Sequence, residues 1–203
     1  MSRIVVYDFD KTLTSDDTLF GFFRHAAPKG VLYGPKLLLY IAAMAAAKWG
    51  IVENTRLKAW GVRLFLYGME EERYLERSRS YARRIRCNDL CIRLRHEEEP
   101  EESLVVTASF VPYVSACMQE KMPVIGSDVQ IEKGRVVALA YNCYGEEKAR
   151  RLRAQGIERI ARLYTDSYSD AALAKMAEEI YVVSDGHIEA CPDFEAFRRY
   201  FGR

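Results

Sequence analysis

The chain has 203 residues, 49% hydrophobic and 29% charged, with a formal net charge of +1. That length suits one domain, or one domain with a large insertion, and the composition excludes a disordered chain. The near-neutral balance lacks the basic footprint of a nucleic-acid binder, so no nucleic-acid partner is expected.

The first element is an apolar run, Ile4 to Tyr7, read as a buried strand that ends directly in Asp8 and Asp10. So short a run, broken at once by Asp8, has no signal-peptide character, and a cytoplasmic protein is expected. From about Asp16 to Arg95 the texture is helical, with predicted helices at Thr18–Ala27, Lys36–Lys48, Asn54–Leu66 and Glu70–Arg95. Pro28, Gly30, Gly50 and Gly68 punctuate them. The stretch "KLLLYIAAMAAAKWG" at 36–50 is apolar but about half the ~20 residues a spanning helix needs. It is expected to pack internally, with an interfacial helix on a membrane surface as the alternative.

After an acidic linker, "HEEEPEES" at 96–102, strand texture returns. Strands are predicted at Leu104–Thr107, Val124–Gly126, Val129–Glu132, Arg135–Ala140, Ile160–Thr165 and Ile180–Val183. Lys133-Gly134 forms a hairpin turn, and helices are expected in "PYVSACMQEK", "GEEKARRLRAQG" and "SDAALAKMAEE". Alternating strands and helices imply a mainly parallel sheet covered on both faces, so the class is α/β with a helical insertion after the first strand. Five cysteines lack a CxxC pair, and three scattered histidines give no zinc spacing, so reduced thiols are expected. Cys87 and Cys91, four apart in a predicted helix, are spaced to meet.

Ligands of open α/β sheets bind outside the carboxyl ends of the strands. There strand one carries Asp8 and Asp10, a pair that shares a cation, shares a proton or caps a turn. The strand "LVVTAS" ends in Thr107, a hydroxyl suited to an anion or to capping. Lys148 falls near a helix N-terminus, where the dipole disfavours a cation unless an anion compensates. Asp166 ends a later strand, and Asp170 follows as an N-cap type residue. Carboxylates with a hard cation such as Mg²⁺, plus a lysine and a hydroxyl, suit phosphate chemistry.

In that order, "DFDKTLT", "VVTAS", "YGEEK" and "TDSYSD" resemble the haloacid dehalogenase superfamily of phosphatases. The helical block is similar in position to that superfamily's C1-type cap, and the nearest pattern is the phosphoserine-phosphatase-like branch, subfamily IB. The resemblance implies a Rossmann-like core with a mainly parallel sheet, residues 1–15 and 96–203, and an inserted all-helical cap, residues 16–95. It implies Asp8 as nucleophile, Asp10 as acid and then base, and Thr107, Ala108 and Lys148 as phosphate-binding residues. It implies Mg²⁺ held by Asp8, Asp166 and the backbone carbonyl of Asp10, with Asp170 behind them. On the cap side, Asp17, Phe20 and Arg56 are candidate substrate contacts. Phe22, Phe23, Leu37–Leu39, Trp49 and Trp60 are either cap packing or the lining of an apolar pocket.

Two departures bear on substrate. Ala108-Ser109 stands where phosphoserine phosphatases have Gly-Gly, and Asp16-Asp17 where they have a glutamate. The expected activity is Mg²⁺-dependent hydrolysis of a small phosphorylated metabolite through an aspartyl-phosphate. The alternatives are a lipid phosphate such as phosphatidylglycerophosphate, reached through membrane contact, or a phospho-acceptor or binding protein without turnover. A signalling receiver domain is disfavoured by the helical block.

Overall fold

The computed structural model describes residues 4–96 and 102–203, so most of the acidic linker at 96–102 lies outside the described residues. Strand β1 (Val5–Tyr7) is followed by five helices, α1 (Leu19–Ala26), α2 (Tyr33–Lys48), α3 (Asn54–Phe65), α4 (Glu71–Ala82) and α5 (Asp89–His96). Then come β2 (Ser103–Phe110), α6 (Val111–Cys117), β3 (Val124–Glu132), β4 (Arg135–Tyr141), α7 (Glu146–Ala154) and β5 (Ile160–Thr165). A 3₁₀ turn at Tyr168–Asp170 leads into α8 (Ala171–Ala174), β6 (Ala177–Ser184), β7 (His187–Cys191) and α9 (Phe194–Tyr200).

The seven strands form one sheet in the order β4-β3-β2-β1-β5-β6-β7. The five inner strands run parallel, and β4 and β7 close the edges antiparallel. Strand β1 is central, with β2 on one side and β5 on the other, so the chain departs in two directions from its carboxyl end. That is the switch point at which such sheets bind ligands.

Strand alternation divides the core between the two faces of the sheet. Val5 and Tyr7 join a cluster that takes in α6 and the inserted helices, including Phe22, Phe23, Phe65 and Tyr74. Val6 joins the other cluster with Ala149, Leu152, Leu173 and Phe197 from α7, α8 and α9. The inserted helices therefore continue one face of the sheet's core. The ring of Phe22 of α1 packs tilted against those of Tyr113 of α6, 4.8 Å away, and Phe110, 5.8 Å away.

Several expectations need correction. The long helix over Glu70–Arg95 is two helices, because the intervening segment pairs with the loop after β1. Ser15 N–H donates to the Arg86 carbonyl, and the Asn88 side chain donates to the Thr12 carbonyl. Cys87 thus lies outside a helix, yet its sulfur is still 2.8 Å from that of Cys91, and the cysteines described are free. Strands expected at Val124–Gly126 and Val129–Glu132 are one strand. "SDAALAKMAEE" forms only a short helix, because Ala177 and Glu179 pair with Ile160 and Arg162 of β5 and extend the sheet. Strand β7 was not expected. Its signal is Asp185-Gly186, whose φ values of 48° and 83° are those of a tight hairpin turn.

Helix α2 packs internally on one side only. Tyr40 and Ala43 are buried, whereas Leu38, Leu39 and Ile41 are exposed, as is Trp49 just beyond it. No helix among the described residues is long and apolar enough to cross a membrane.

Candidate active site

Asp8 stands one residue past β1, and its N–H donates to the Tyr164 carbonyl of β5, so the carboxylate opens at the middle of the sheet edge. Lys148 of α7 reaches it, with Nζ 2.8 Å from Asp8 Oδ1 and 2.6 Å from Asp170 Oδ1, and all three residues are buried. Gly145 aims the lysine. It caps α7 at φ 60° and ψ −128°, a conformation that excludes other residues, and so starts the helix with Lys148 in its first turn. The compensation sought for a lysine at a helix N-terminus is supplied by two carboxylates of the protein itself. Asp170 does not spend its side chain on capping; Thr165 Oγ1 donates to its other oxygen at 2.8 Å.

Asp10, two residues on, has a different environment. Its Oδ1 accepts from Thr18 N–H at 2.7 Å and Thr18 Oγ1 at 2.6 Å, and its Oδ2 accepts from Ser109 Oγ at 2.5 Å. Thr18 precedes α1 without capping it, because its hydroxyl is turned to Asp10. Ser109 arrives from β2, where Gly126 of β3 permits the approach: a Cβ there would meet the Ser109 carbonyl at 2.7 Å. Asp10 therefore carries neutral donors and Asp8 an ammonium.

The charges set the protonation. Burial drives the Asp8 pKa up, Lys148 opposes this, and the negative charges of Asp170 and Asp166 add to it, for a net upward shift. Asp10 is raised by burial and by the charge of Asp17, against the hydrogen bonds from Ser109 and Thr18. Asp166 is pushed up to about 6 by burial and by Asp170. Lys148 is pulled down by burial, but Asp170 and Asp8 outweigh this and hold it charged.

These groups border a cavity of about 240 Å³. Asp8, Asp10, Asp166, Lys148, Ala108 and Ser109 supply its core side, and Asp17, Leu19, Asn54 and Lys58 its helical side. Thr107 lies beneath, fully buried, its hydroxyl accepting the Ser109 N–H at 3.0 Å. Asp17 is brought to the cavity; Phe20 and Arg56 are not. Phe20 stacks on Tyr40 at 6.1 Å, and Arg56 is exposed, 3.9 Å from Glu53. The reason is helical geometry. Asn54 and Lys58, four apart on α3, share the face toward the cavity, and Arg56 points away from both. Phe22 and Phe23 are core, and Trp49 and Trp60 are surface, so none lines an apolar pocket.

Lys58 is the residue the sequence reading missed. It is buried, with Nζ 2.5 Å from the Ala108 carbonyl and 3.2 Å from Ser127 Oγ, and it also donates to Asn142 Oδ1. Burial lowers its pKa to about 8. It ties the helical insertion to the carboxyl end of β2. The available signal was a lysine four residues after Asn54 on an otherwise core-facing stripe of α3.

Among the described residues no three His, Cys, Asp or Glu side chains form a metal cage by themselves. Mg²⁺ needs none, since it is held by one or two carboxylates and completed by water and phosphate. Asp8, Asp166 and Asp170 interact electrostatically across this edge while one buried lysine pairs with Asp8 and Asp170 alone, an excess of carboxylates that a divalent cation fits.

The sequence matches the family of haloacid dehalogenase-like hydrolases over residues 5–175. No curated protein sequence matches the chain. Among solved structures, a protein of unknown function from Bordetella pertussis Tohama I superposes with TM-score 0.67 at 16% identity, covering 86% of each chain. A HAD-family hydrolase from Salmonella enterica serovar Typhi gives 0.63 at 11% identity over 86% of this chain, which spans 59% of that protein. A phosphoserine phosphatase, solved as a phospho-aspartyl intermediate analogue, gives 0.55 at 15% identity, covering 88% of this chain and 85% of that one. These likenesses are of fold. With motif residues from β1, β2, β5 and the start of α7 meeting at one edge and a family match across most of its length, the chain belongs to the haloacid dehalogenase-like hydrolases, and its α/β fold with inserted helices is like that of the phosphoserine phosphatase.

Proposed function

We propose that the protein is a phosphatase that hydrolyses small, polar phosphate monoesters through an aspartyl-phosphate on Asp8. The observation that carries this is a carboxylate held by a buried lysine at the floor of a polar cavity of about 240 Å³. A carboxylate and a phosphate monoester repel each other, so charge neutralisation is the first requirement. Asp8, Asp166 and the backbone carbonyl of Asp10 would hold Mg²⁺, which when bound would supply that charge neutralisation.

In the first half-reaction an Asp8 oxygen attacks phosphorus, and the bond from phosphorus to the leaving oxygen breaks. Asp10 gives that oxygen its proton; the raised pKa from burial and from Asp17 suits it to hold one. In the second, Asp10 takes a proton from water, the water oxygen attacks phosphorus, and the bond to Asp8 breaks to release inorganic phosphate. Lys148 steadies Asp8 and faces the phosphoryl oxygens, and Asp170 and Thr165 fix the lysine. The carboxyl end of β2, with Ala108 and Ser109, borders the phosphoryl position, and Lys58 fixes it from the helical side. A cavity with Asp17, Asn54 and Lys58 on its outer side favours a polar leaving group over an acyl chain.

The test is hydrolysis of a generic aryl phosphate with and without Mg²⁺, then of a panel of amino-acid, sugar, nucleotide and lysophospholipid phosphates. Turnover that needs Mg²⁺ and disappears in Asp8→Asn is expected. Turnover that survives Asp8→Asn or excess chelator sinks the mechanism. A stable phosphoprotein without turnover makes the protein a phospho-acceptor instead.

A further inference from the structure

The helical insertion has a surface that the chemistry of the cavity does not use. The outward side of α2 and its flanking turns carry Val31, Leu38, Leu39, Ile41, Trp49 and Ile51, with relative exposures of 97%, 70%, 61%, 45%, 83% and 77%. Pro35, Leu38, Leu39, Ala42, Ala45 and Trp49 follow one another at helical spacing, so this is a continuous stripe and not scattered leucines. The opposite side of α2 is also apolar, with Tyr40 and Ala43 buried against the block. A largely apolar helix covered on one side leaves a contiguous apolar face of the kind that marks an interaction surface.

Charge identifies that environment. From Thr18 to Val52 the sequence has no aspartate or glutamate, while Arg24, Lys29, Lys36 and Lys48 are cationic. A second copy of the chain fits poorly, because a two-fold interface would set this one-signed segment against itself. An anionic lipid surface fits both properties, since apolar side chains enter the acyl boundary and lysines meet the headgroups. A tryptophan at the helix end suits the interfacial level. We infer that the α2 face docks the protein on the surface of an anionic bilayer, with α2 lying in the interface and not crossing it.

The geometry brings the active site along. Ile51 on the docking surface is three residues from Asn54, which borders the cavity, a reach of about 10 Å at most along the chain. The docked cavity mouth therefore lies close to the headgroup layer. Docking itself requires no catalysis, so its test is independent of the phosphatase proposal.

The two tryptophans of the chain, Trp49 and Trp60, are both exposed and report directly. The full chain is sedimented with vesicles of phosphatidylcholine alone and of equimolar phosphatidylcholine and phosphatidylglycerol, and its fluorescence is followed. Co-sedimentation with the anionic vesicles and a blue shift of tryptophan emission are expected, with binding weaker by about tenfold or more on the neutral vesicles. Leu38→Glu/Leu39→Glu should abolish the shift with far-ultraviolet circular dichroism unchanged. Should that variant fail to fold, Lys48→Glu at the exposed helix end is expected to weaken binding to the anionic vesicles alone. Failure of the wild type to bind either vesicle overturns the inference. So does a concentration-dependent dimer in lipid-free solution that Leu38→Glu dissolves, since a second copy would then cover the face.

Discussion

The sheet's carboxyl edge and the outward side of α2 both reverse the usual partition of a folded chain. At the sheet edge, charges are buried; on α2, large apolar side chains are exposed. The edge completes itself within the chain: Lys148 bridges Asp8 and Asp170, Thr165 fixes Asp170, and Thr18 and Ser109 hold Asp10. On α2, Leu38, Leu39 and Trp49 stay in water. Burying an unpaired charge costs several kcal/mol, so a buried cluster must be nearly closed for the fold to survive. Exposing a leucine costs the fold almost nothing, so an apolar surface can be left for something outside the molecule. One region is fixed by stability, the other is free to serve contact.

Breaking the edge should have the larger consequences. Asp8→Asn is expected to lower turnover on an aryl phosphate by about 10⁴-fold or more, roughly 5 kcal/mol of transition-state stabilisation. A steady-state assay with Mg²⁺ checks it. Since the amide keeps the shape of the carboxylate, the fold should be retained.

Lys148→Met should act on stability as well as rate. It leaves the Asp8 and Asp170 carboxylates buried without their cation, at a cost of about 3–5 kcal/mol in urea unfolding at neutral pH. Without the ammonium, the folded-state pKa of Asp8, already raised by burial, rises further. A raised carboxylate contributes stability below its unfolded pKa and loses it as pH climbs through the folded value. The deficit of the variant should therefore be smaller at pH 5 than at pH 8, and a pH-independent deficit would contradict the buried-triad account.

Lys58 ties the helical insertion to the sheet edge, standing on α3 and donating to the Ala108 carbonyl near the carboxyl end of β2. Its folded pKa, about 8, lies below the ordinary 10.5 because it is buried. Between those values the unfolded chain binds more protons than the folded one, so stability should rise with pH across the window. The rise is on the order of 3 kcal/mol if no other group moves. Burial raises the pKa values of Tyr40, Tyr81 and Cys143, which lose stability over the same range, so the readout is the difference from Lys58→Met: relative to that variant, the wild type should gain in urea midpoint from pH 8 to pH 10.5.

The difference between the two regions also governs how much was legible beforehand. The site's principal residues could be read because each follows a short apolar strand: Asp8 after β1, Asp166 after β5, with the "YGEEK" turn before Lys148. Period-two patterns and turn residues are local, and the parallel topology then brings the strand ends together. The partners of Asp10 were harder, because Thr18 and Ser109 are 91 residues apart and look like a helix start and a loop serine. Lys58 was illegible for the same reason. Its acceptors, Ala108, Ser127 and Asn142, come from three distant segments, and only the folded chain makes a buried lysine sensible. On α2 the apolar run was evident, but periodicity cannot show which side a neighbour covers when every side is apolar.

The smallest expected effect is the most discriminating for α2. Leu39→Ser removes a large apolar side chain, which in a core would cost about 2–5 kcal/mol. Leu39 is 61% exposed, so in lipid-free solution the change should fall within about 0.5 kcal/mol of zero. Leu66, fully buried in the same block, provides the contrast, and Leu66→Ala should show the full core penalty. If Leu39→Ser costs as much as Leu66→Ala, the outer side of α2 is covered in solution and the contrast between the regions collapses. If it costs nothing yet weakens vesicle binding, the leucine is kept for a partner, because the fold has no use for it.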